Sequence, residues 1–278
     1  ADEMQAGDFS RVVADALAQV AAGAHILDIN AGVPSAIPQK IEPELMVRAV
    51  ETVQAITDIP LCIDSSVVPA LIAGLKAAKG RPIVNSVTGE EERMEAIFPV
   101  VAEYKVPVIA ISNDETGISY DAKERFTIAK RIVDRAATYG IPPEDVIIDP
   151  LAMPVGAVDN AGRTLFTIVR MIREELGCNT MCGASNISFG MPNRPLLNAT
   201  FIAMAIAAGM TCAITNPLEK EIRHSIYAAD ALNGNDESSM RYLSAMREAE
   251  SAGAESSGAG DRRAERDARR SVRRSRAG

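Results

Sequence analysis

Short apolar runs alternate with longer amphipathic segments along most of this chain, and that alternation restricts its fold more than any other feature. A parallel strand covered on both faces reads as a brief apolar run, whereas a helix laid on a sheet repeats its apolar residues at i, i+3 and i+4. The first helix begins at Asp8, with Phe9, Val12, Val13, Ala16, Leu17 and Val20 on one face and Gly23 at its end. Strands then read at His25–Asn30, Pro60–Asp64, Arg81–Asn85, Val106–Ile111, Asp145–Asp149, Thr180–Ala184 and Thr211–Ile214, each followed by a helical pattern. The second helix is expected from about Pro43 to Ile56, the third from about Val67 to Ala78, and the eighth from about Leu218 to Leu232. Glu90, Glu91 and Glu92 open the fourth, which Pro99 should kink, and Asp121 with Glu124 reads as a capping box for the fifth.

Strands that alternate one-for-one with helices make a parallel sheet, and eight such units close a barrel. Eight helices and seven strands are counted here, and the chain opens on a helix. The expected fold class is therefore an α/β (β/α)8 TIM barrel over residues 1–247, with its first strand lying upstream of Ala1.

Composition agrees with one large α/β body and narrows the function classes. The chain has 278 residues, 47% of them hydrophobic, no Trp and few aromatics. No apolar stretch approaches the roughly 18 residues of a membrane helix, and a signal-peptide pattern is missing at the N-terminus, so the expected location is cytoplasmic and no membrane partner is foreseen. Residues 1–247 carry 21 Lys+Arg against 31 Asp+Glu, which argues against a nucleic-acid protein. Cys178-x3-Cys182 is not a common zinc spacing, and His25 and His224 are the only histidines, so no metal site is expected. Residues 248–278, with 8 Arg, 6 acids and no apolar period, read as a disordered, solvated tail; an electrostatic role with RNA or acidic lipid is the alternative.

In a parallel barrel every strand ends on one rim, and catalytic residues come from several of those ends. That rim would here carry Asp28, Asn30, Asp64, Asn85, Asp149, Asn186 and Asn216. Carboxylates and amides in that number suit a neutral heterocycle rich in N–H groups, because a carboxylate accepts two parallel N–H bonds and an Asn both donates and accepts. The competing reading is helix capping, which Asp and Asn after a strand also serve. The Gly183–Pro195 stretch, rich in small and amide-bearing residues, reads as a strand-to-helix connection on the same rim, or as a turn that merely caps the next helix.

Five motifs in order, Asp28-Ile29-Asn30-Ala31-Gly32, Ile63-Asp64-Ser65, Val84-Asn85-Ser86, Ile148-Asp149-Pro150-Leu151, and Gly183–Gly190 with Asn193-Arg194-Pro195, resemble those of the pterin-binding methyltransferase barrels. The resemblance spans about residues 6–247 and is nearest to the methyltetrahydrofolate–corrinoid protein methyltransferases and the folate module of cobalamin-dependent methionine synthase. It implies that Asp64, Asn85 and Asp149 hold the pterin ring, with both carboxylates kept ionised. It further implies that Asn186 reaches N5 as the catalytic amide and that Arg194 meets the benzoyl-glutamate side of folate. Asn30 and Asn216 would support them from the same rim. Tetrahydrofolate is then methyl donor or acceptor, the corrinoid rides on a partner protein, and the enzyme is a homodimer. The rivals are a dihydropteroate synthase-like enzyme, whose last strand should end on a basic Arg-x-His rather than Ile214-Thr215-Asn216-Pro217, and a catalytically inactive pterin-binding barrel.

Overall fold

The computed structural model describes residues 2–251. The chain divides into two compact units, Ala1–Arg223 and a C-terminal unit beginning at His224. The Arg-rich tail of the sequence reading lies beyond Ser251, outside the described residues.

The first unit is a parallel sheet wrapped in helices. Strands β1 (Leu27–Asn30), β2 (Leu61–Asp64), β3 (Ile83–Thr88), β4 (Val108–Ile111), β5 (Val146–Asp149) and β6 (Asn179–Thr180) lie side by side in chain order, all parallel. Helices α1 (Asp2–Gln5) and α2 (Ser10–Ala21) precede β1. Strands β1 to β4 are followed in turn by α3 (Pro38–Gln54), α4 (Val68–Ala77), α5 (Glu91–Tyr104) and α6 (Ala122–Thr138). After β5 comes α7 (Ala161–Met171), extended by a π-helical turn at Ile172–Leu176; after β6 comes α8 (Arg194–Ala207), and α9 (Lys220–Leu232) runs across the boundary between the units. Sequential parallel strands joined by helices are the (β/α)8 barrel architecture the alternation predicts.

Side chains alternate across this sheet and sort into two environments. Leu27, Ile29, Leu61, Ile63, Val84, Val108, Val146 and Ile148 point to the helices and join one large core with Met46, Leu71, Phe98, Ile132 and Ile168. The opposite face carries a small separate cluster of Cys62, Ile109 and Met181, with Ile83 and Ile147 against it. Above that apolar plug the inward positions turn polar, and the rim begins.

Three local expectations are corrected. Thr211–Ile214, read as a seventh strand, pairs only through the single parallel bridge Gly183–Ile214. The Thr211 and Cys212 amides converge on the Thr180 carbonyl, while the Thr180 amide donates to Thr211 Oγ1 at 3.1 Å, so a side chain replaces a rung of the ladder. The helix read from Pro43 starts earlier, with Pro38 in its first turn, and keeps Pro43 inside; α5 likewise continues through Pro99. The capping box is half made: Asp121 accepts from the Lys123 and Glu124 amides, but Glu124 binds Ser119 Oγ, and it is Ser119 Oγ that accepts from the Asp121 amide.

In the C-terminal unit the buried Asp236 carboxylate accepts from the Arg241 and Tyr242 amides at 3.1 and 2.9 Å. This satisfies otherwise orphaned donors in the first turn of a helix over residues 240–251.

Close packing between α4, β2 and α3 gives a direct check. A Cβ added at Gly74 would sit 2.7 Å from Ile63 Cγ2 and 2.8 Å from Met46 Cγ, and both side chains are fully buried. Gly74→Ala should therefore lower the unfolding free energy by about 1–3 kcal/mol in chemical denaturation, despite the better helix propensity of Ala. An unchanged or raised midpoint would show that these helices can part without cost.

Candidate active site

Strand register brings the polar strand ends together. Asn30 lies opposite Asp64, and Asp64 opposite Asn85, so three residues far apart in the chain form one row across β1, β2 and β3. Asn30 Nδ2 donates to Asp64 Oδ2 at 2.7 Å, and Asn30 Oδ1 accepts from the Gly32 amide at 2.8 Å. The second bond orients the carboxamide, and the first fixes one carboxylate oxygen of Asp64. Asn85 Nδ2 donates to Asp28 Oδ1 at 3.3 Å, which brings Asp28 into the network although the family resemblance assigned it no ligand role.

Behind this row the loops are braced by buried polar groups. Glu42, on the apolar face of α3, accepts from Ser65 Oγ at 3.1 Å and from the Val33 amide at 3.3 Å, joining the loops after β1 and β2. The half-buried Arg93 on α5 donates to the Ser66, Ser65 and Ser86 carbonyls, joining the loop that follows Asp64 to β3 next to Asn85.

Asp149 ends β5 further round the rim. Its Oδ1 accepts from the Leu151 amide at 2.7 Å, and its main-chain carbonyl accepts from the Ser112 amide and hydroxyl, each at 3.0 Å. Burial pushes its carboxyl up to about 6, with the Leu151 amide and the Arg125 charge pulling the other way. Burial also raises Asp64, with the Asn30 hydrogen bond opposing and the Asp28 charge adding to the rise. The sequence reading expects surroundings that hold both carboxylates ionised; the fold instead works against ionisation at both.

The Gly183–Pro195 stretch forms a 3-10 turn at Ala184–Ser188 that packs against the start of α8. Its backbone closes through the Asn186 amide to the Gly183 carbonyl and the Phe189 amide to the Asn186 carbonyl, each at 3.1 Å. Asn186 is exposed, and no side-chain hydrogen bond to it is found among the described residues. Gly183 leaves room for its amide, since a Cβ there would lie 3.1 Å from Asn186 Nδ2. Arg194 folds back on the turn, donating to Ser188 Oγ at 3.0 Å and to the Ser185 carbonyl at 2.8 Å. Asn216 Oδ1 accepts from the Leu218 amide at 3.1 Å, shaping the turn before α9. Among the described residues, no group of three or more His, Cys, Asp or Glu is placed to hold a metal ion, and no helix is long and apolar enough to cross a membrane.

In the first unit two buried charges escaped the sequence reading, and both left a signal. Arg125 shares the face of α6 with Ile128, Ala129 and Ile132, and Glu42 shares that of α3 with Leu45, Met46 and Ala49. A charge at a core position of a helix is a polar group that needs a partner.

The raised Asp149 carboxyl has a thermodynamic consequence. Its folded value lies above the unfolded 3.8, so its ionisation costs the folded state nothing below about pH 4; the penalty grows as pH rises through 6 and is full above it. Asp149→Asn, which keeps an acceptor for the Leu151 amide, should stabilise the ligand-free protein by about 1–3 kcal/mol near pH 7.5, and the gain should vanish near pH 4. Denaturation curves at both pH values test this, and a less stable Asn variant at the higher pH would reverse the sign.

Residues 1–216 match the family model described as pterin binding enzyme. The methylcorrinoid:tetrahydrofolate methyltransferase of Eubacterium limosum is 31% identical over 236 residues, covering 84% of this chain and 86% of that protein. Methionine synthases of Mycobacterium leprae and Mycobacterium tuberculosis are each 28% identical over 228 residues, 77% of this chain, but the match spans only 19% of their length. In three dimensions the chain is similar to a Yersinia pestis dihydropteroate synthase solved with a pterine-sulfa conjugate, with TM-score 0.67, 15% identity, and 82% of this chain and 90% of that one covered. The Xanthomonas albilineans dihydropteroate synthase with 7,8-dihydropteroate gives TM-score 0.65 at 20% identity, covering 80% and 84%. At such identities the structural likeness speaks for the barrel alone, whereas the family match covers most of the sequence: the chain belongs to the pterin-binding enzyme family.

Proposed function

We propose that this protein transfers a methyl group between N5 of 5-methyltetrahydrofolate and the cobalt of a corrinoid carried by a partner protein. The observation that carries the reading is the pairing of a row of acceptors and amides on one rim with a separate carboxamide, Asn186, that is held by its backbone and left free at its side chain. The near-full-length similarity to a methylcorrinoid:tetrahydrofolate methyltransferase agrees with it. A dihydropteroate synthase shares the fold, but the basic ending expected of its last strand is replaced here by Thr215-Asn216-Pro217.

In this reading Asp64 and Asp149 accept N–H bonds from the amino-pyrimidinone edge of the pterin, and Asn85 completes the ring contacts. Asn30 holds Asp64 in place, so one carboxylate oxygen is fixed while the other remains available. The bound corrinoid supplies the Co(I) nucleophile. Asn186 addresses the leaving group: N5 is a poor leaving group as a tertiary amine, and a donor hydrogen bond to it strengthens as N5 takes up the electron pair of the breaking C–N bond, before a proton from solvent completes tetrahydrofolate. Only such an interaction, stronger in the transition state than in the ground state, lowers the barrier. Arg194 braces the turn that carries Asn186, and in this reading its guanidinium meets the benzoyl-glutamate side of folate, as the family resemblance implies. Asn216 shapes the neighbouring loop. Homodimeric assembly belongs to the same proposal and follows the family resemblance; a cytoplasmic setting is carried over from the sequence reading.

Methyl transfer from 5-methyltetrahydrofolate to free cob(I)alamin, followed by absorbance, tests the reading. Asn186→Ala should lower kcat by about 10²-fold or more, the scale for loss of one preorganised donor, while folate binding changes little. A folded parent protein that binds the folate but never turns it over, alone or with a corrinoid protein, would instead mark an inactive barrel.

A further inference from the structure

Arg125 is 2% exposed, yet no carboxylate lies in ion-pair contact with it among the described residues. It enters from α6 and spends its donors on main-chain carbonyls: Nε on Ser119, and Nη1 on Pro150 at 2.8 Å and on Leu151 at 3.0 Å. Leu151 has φ of 62°, in the left-handed region that a branched residue adopts only when its surroundings demand it. The demand is visible on both sides of the residue. Its amide is bound by Asp149 Oδ1, and its carbonyl by the guanidinium.

We propose that Arg125 is the positioning residue for Asp149, clamping the Pro150-Leu151 backbone so that the Leu151 amide orients the carboxylate and supplying the buried positive charge that keeps it an acceptor for the pterin. The proposal rests on the pterin-binding reading given above. The groups that face Asp149 leave Arg125 as the one cation acting on it among the described residues. From the segment after β6 comes the Cys182 thiol, pushed up by burial and so neutral; from the residue after β4 comes the uncharged Ser112; Tyr120 lies on the Arg125 side. Removing the clamp takes away the charge and frees the Leu151 backbone whose amide orients the carboxylate, the two influences that oppose burial at Asp149, and a protonated carboxyl accepts one bond fewer from an N–H-rich edge.

The test is the pH dependence of 5-methyltetrahydrofolate binding by calorimetry, compared among the parent chain, Arg125→Lys and Arg125→Gln. The parent should lose affinity below about pH 6, and Arg125→Gln should move that acid limb up by about one pH unit or more, with Arg125→Lys between them. At neutral pH the Gln variant should show KM raised about twofold or more, widening to about tenfold near pH 5, with kcat at saturating folate within about threefold of the parent. Coincident acid limbs in all three folded proteins would overturn the inference while leaving pterin binding intact, whereas a parent that binds neither 5-methyltetrahydrofolate nor a simple pterin would overturn both. If the variants fail to fold, the unmodified protein still decides: the Arg125 Nε–H nitrogen resonance should shift with a midpoint near pH 6, and that transition should be missing in Asp149→Asn. An Arg125 signal that does not respond to pH in that range would refute the coupling.

Discussion

The two-residue period of parallel strands is the constraint on which this structure depends. Each strand must give one set of side chains to the helices and the other to the barrel interior, and with all strands parallel their polar ends arrive at the same rim. Ile29 and Ile63 go to the core shared with α3 and α4, and by the same pleat Asn30 and Asp64 turn inward and meet. A shift of one residue in either strand would bury the amide and expose the isoleucine, so the core that stabilises the fold also sets the register of the site.

The site is held chiefly through main-chain groups rather than by side-chain ion pairs. Arg93 bonds three carbonyls behind Asp64 and Asn85, Arg125 bonds the two that follow Asp149, and Arg194 closes the turn beneath Asn186. Carbonyl clamps suit a pocket for a ligand rich in donors, because they fix the loops and leave the carboxylate oxygens largely available to accept. The cost appears in Asp149, whose ionisation burial opposes even with a guanidinium nearby. In the proposed role of Asp149, a binding carboxylate would be stabilised by its ligand and destabilised without it, a common bargain between stability and function.

Legibility in the sequence followed range. Strand ends at Asp64 and Asp149 are readable because an apolar run stopping on a polar residue is a local signal; the same signal at Asn85 misplaces the end of β3, which runs on through Ser86 and Val87 to Thr88. The last strand was misread because Thr211–Ile214 has the composition of a strand, and only its neighbour shows that Thr211 Oγ1 takes the place of a ladder group. The capping box failed for the same reason on a smaller scale, with Ser119 outcompeting the Asp121 amide for Glu124 and serving that amide itself. Arg194 enters the sequence reading only as a contact to the benzoyl-glutamate side of folate implied by the resemblance, and its geometry as a brace depends on the turn it closes.

The sequence by itself determined the α/β alternation, the inward and outward faces of each strand, and the set of carboxylates and amides that end on one rim, because periodicity and turn chemistry are properties of neighbouring residues. Only the tertiary structure decided which of those groups meet, which are braced, and how readily they ionise. Asp149 illustrates the division: its place at a strand end can be read from six residues, but its carboxyl sits near 6 because of burial by the surrounding elements, tempered by a guanidinium from another helix. Solvation and charge depend on what lies nearby in space, and the chain order of Arg125 and Asp149 does not disclose it.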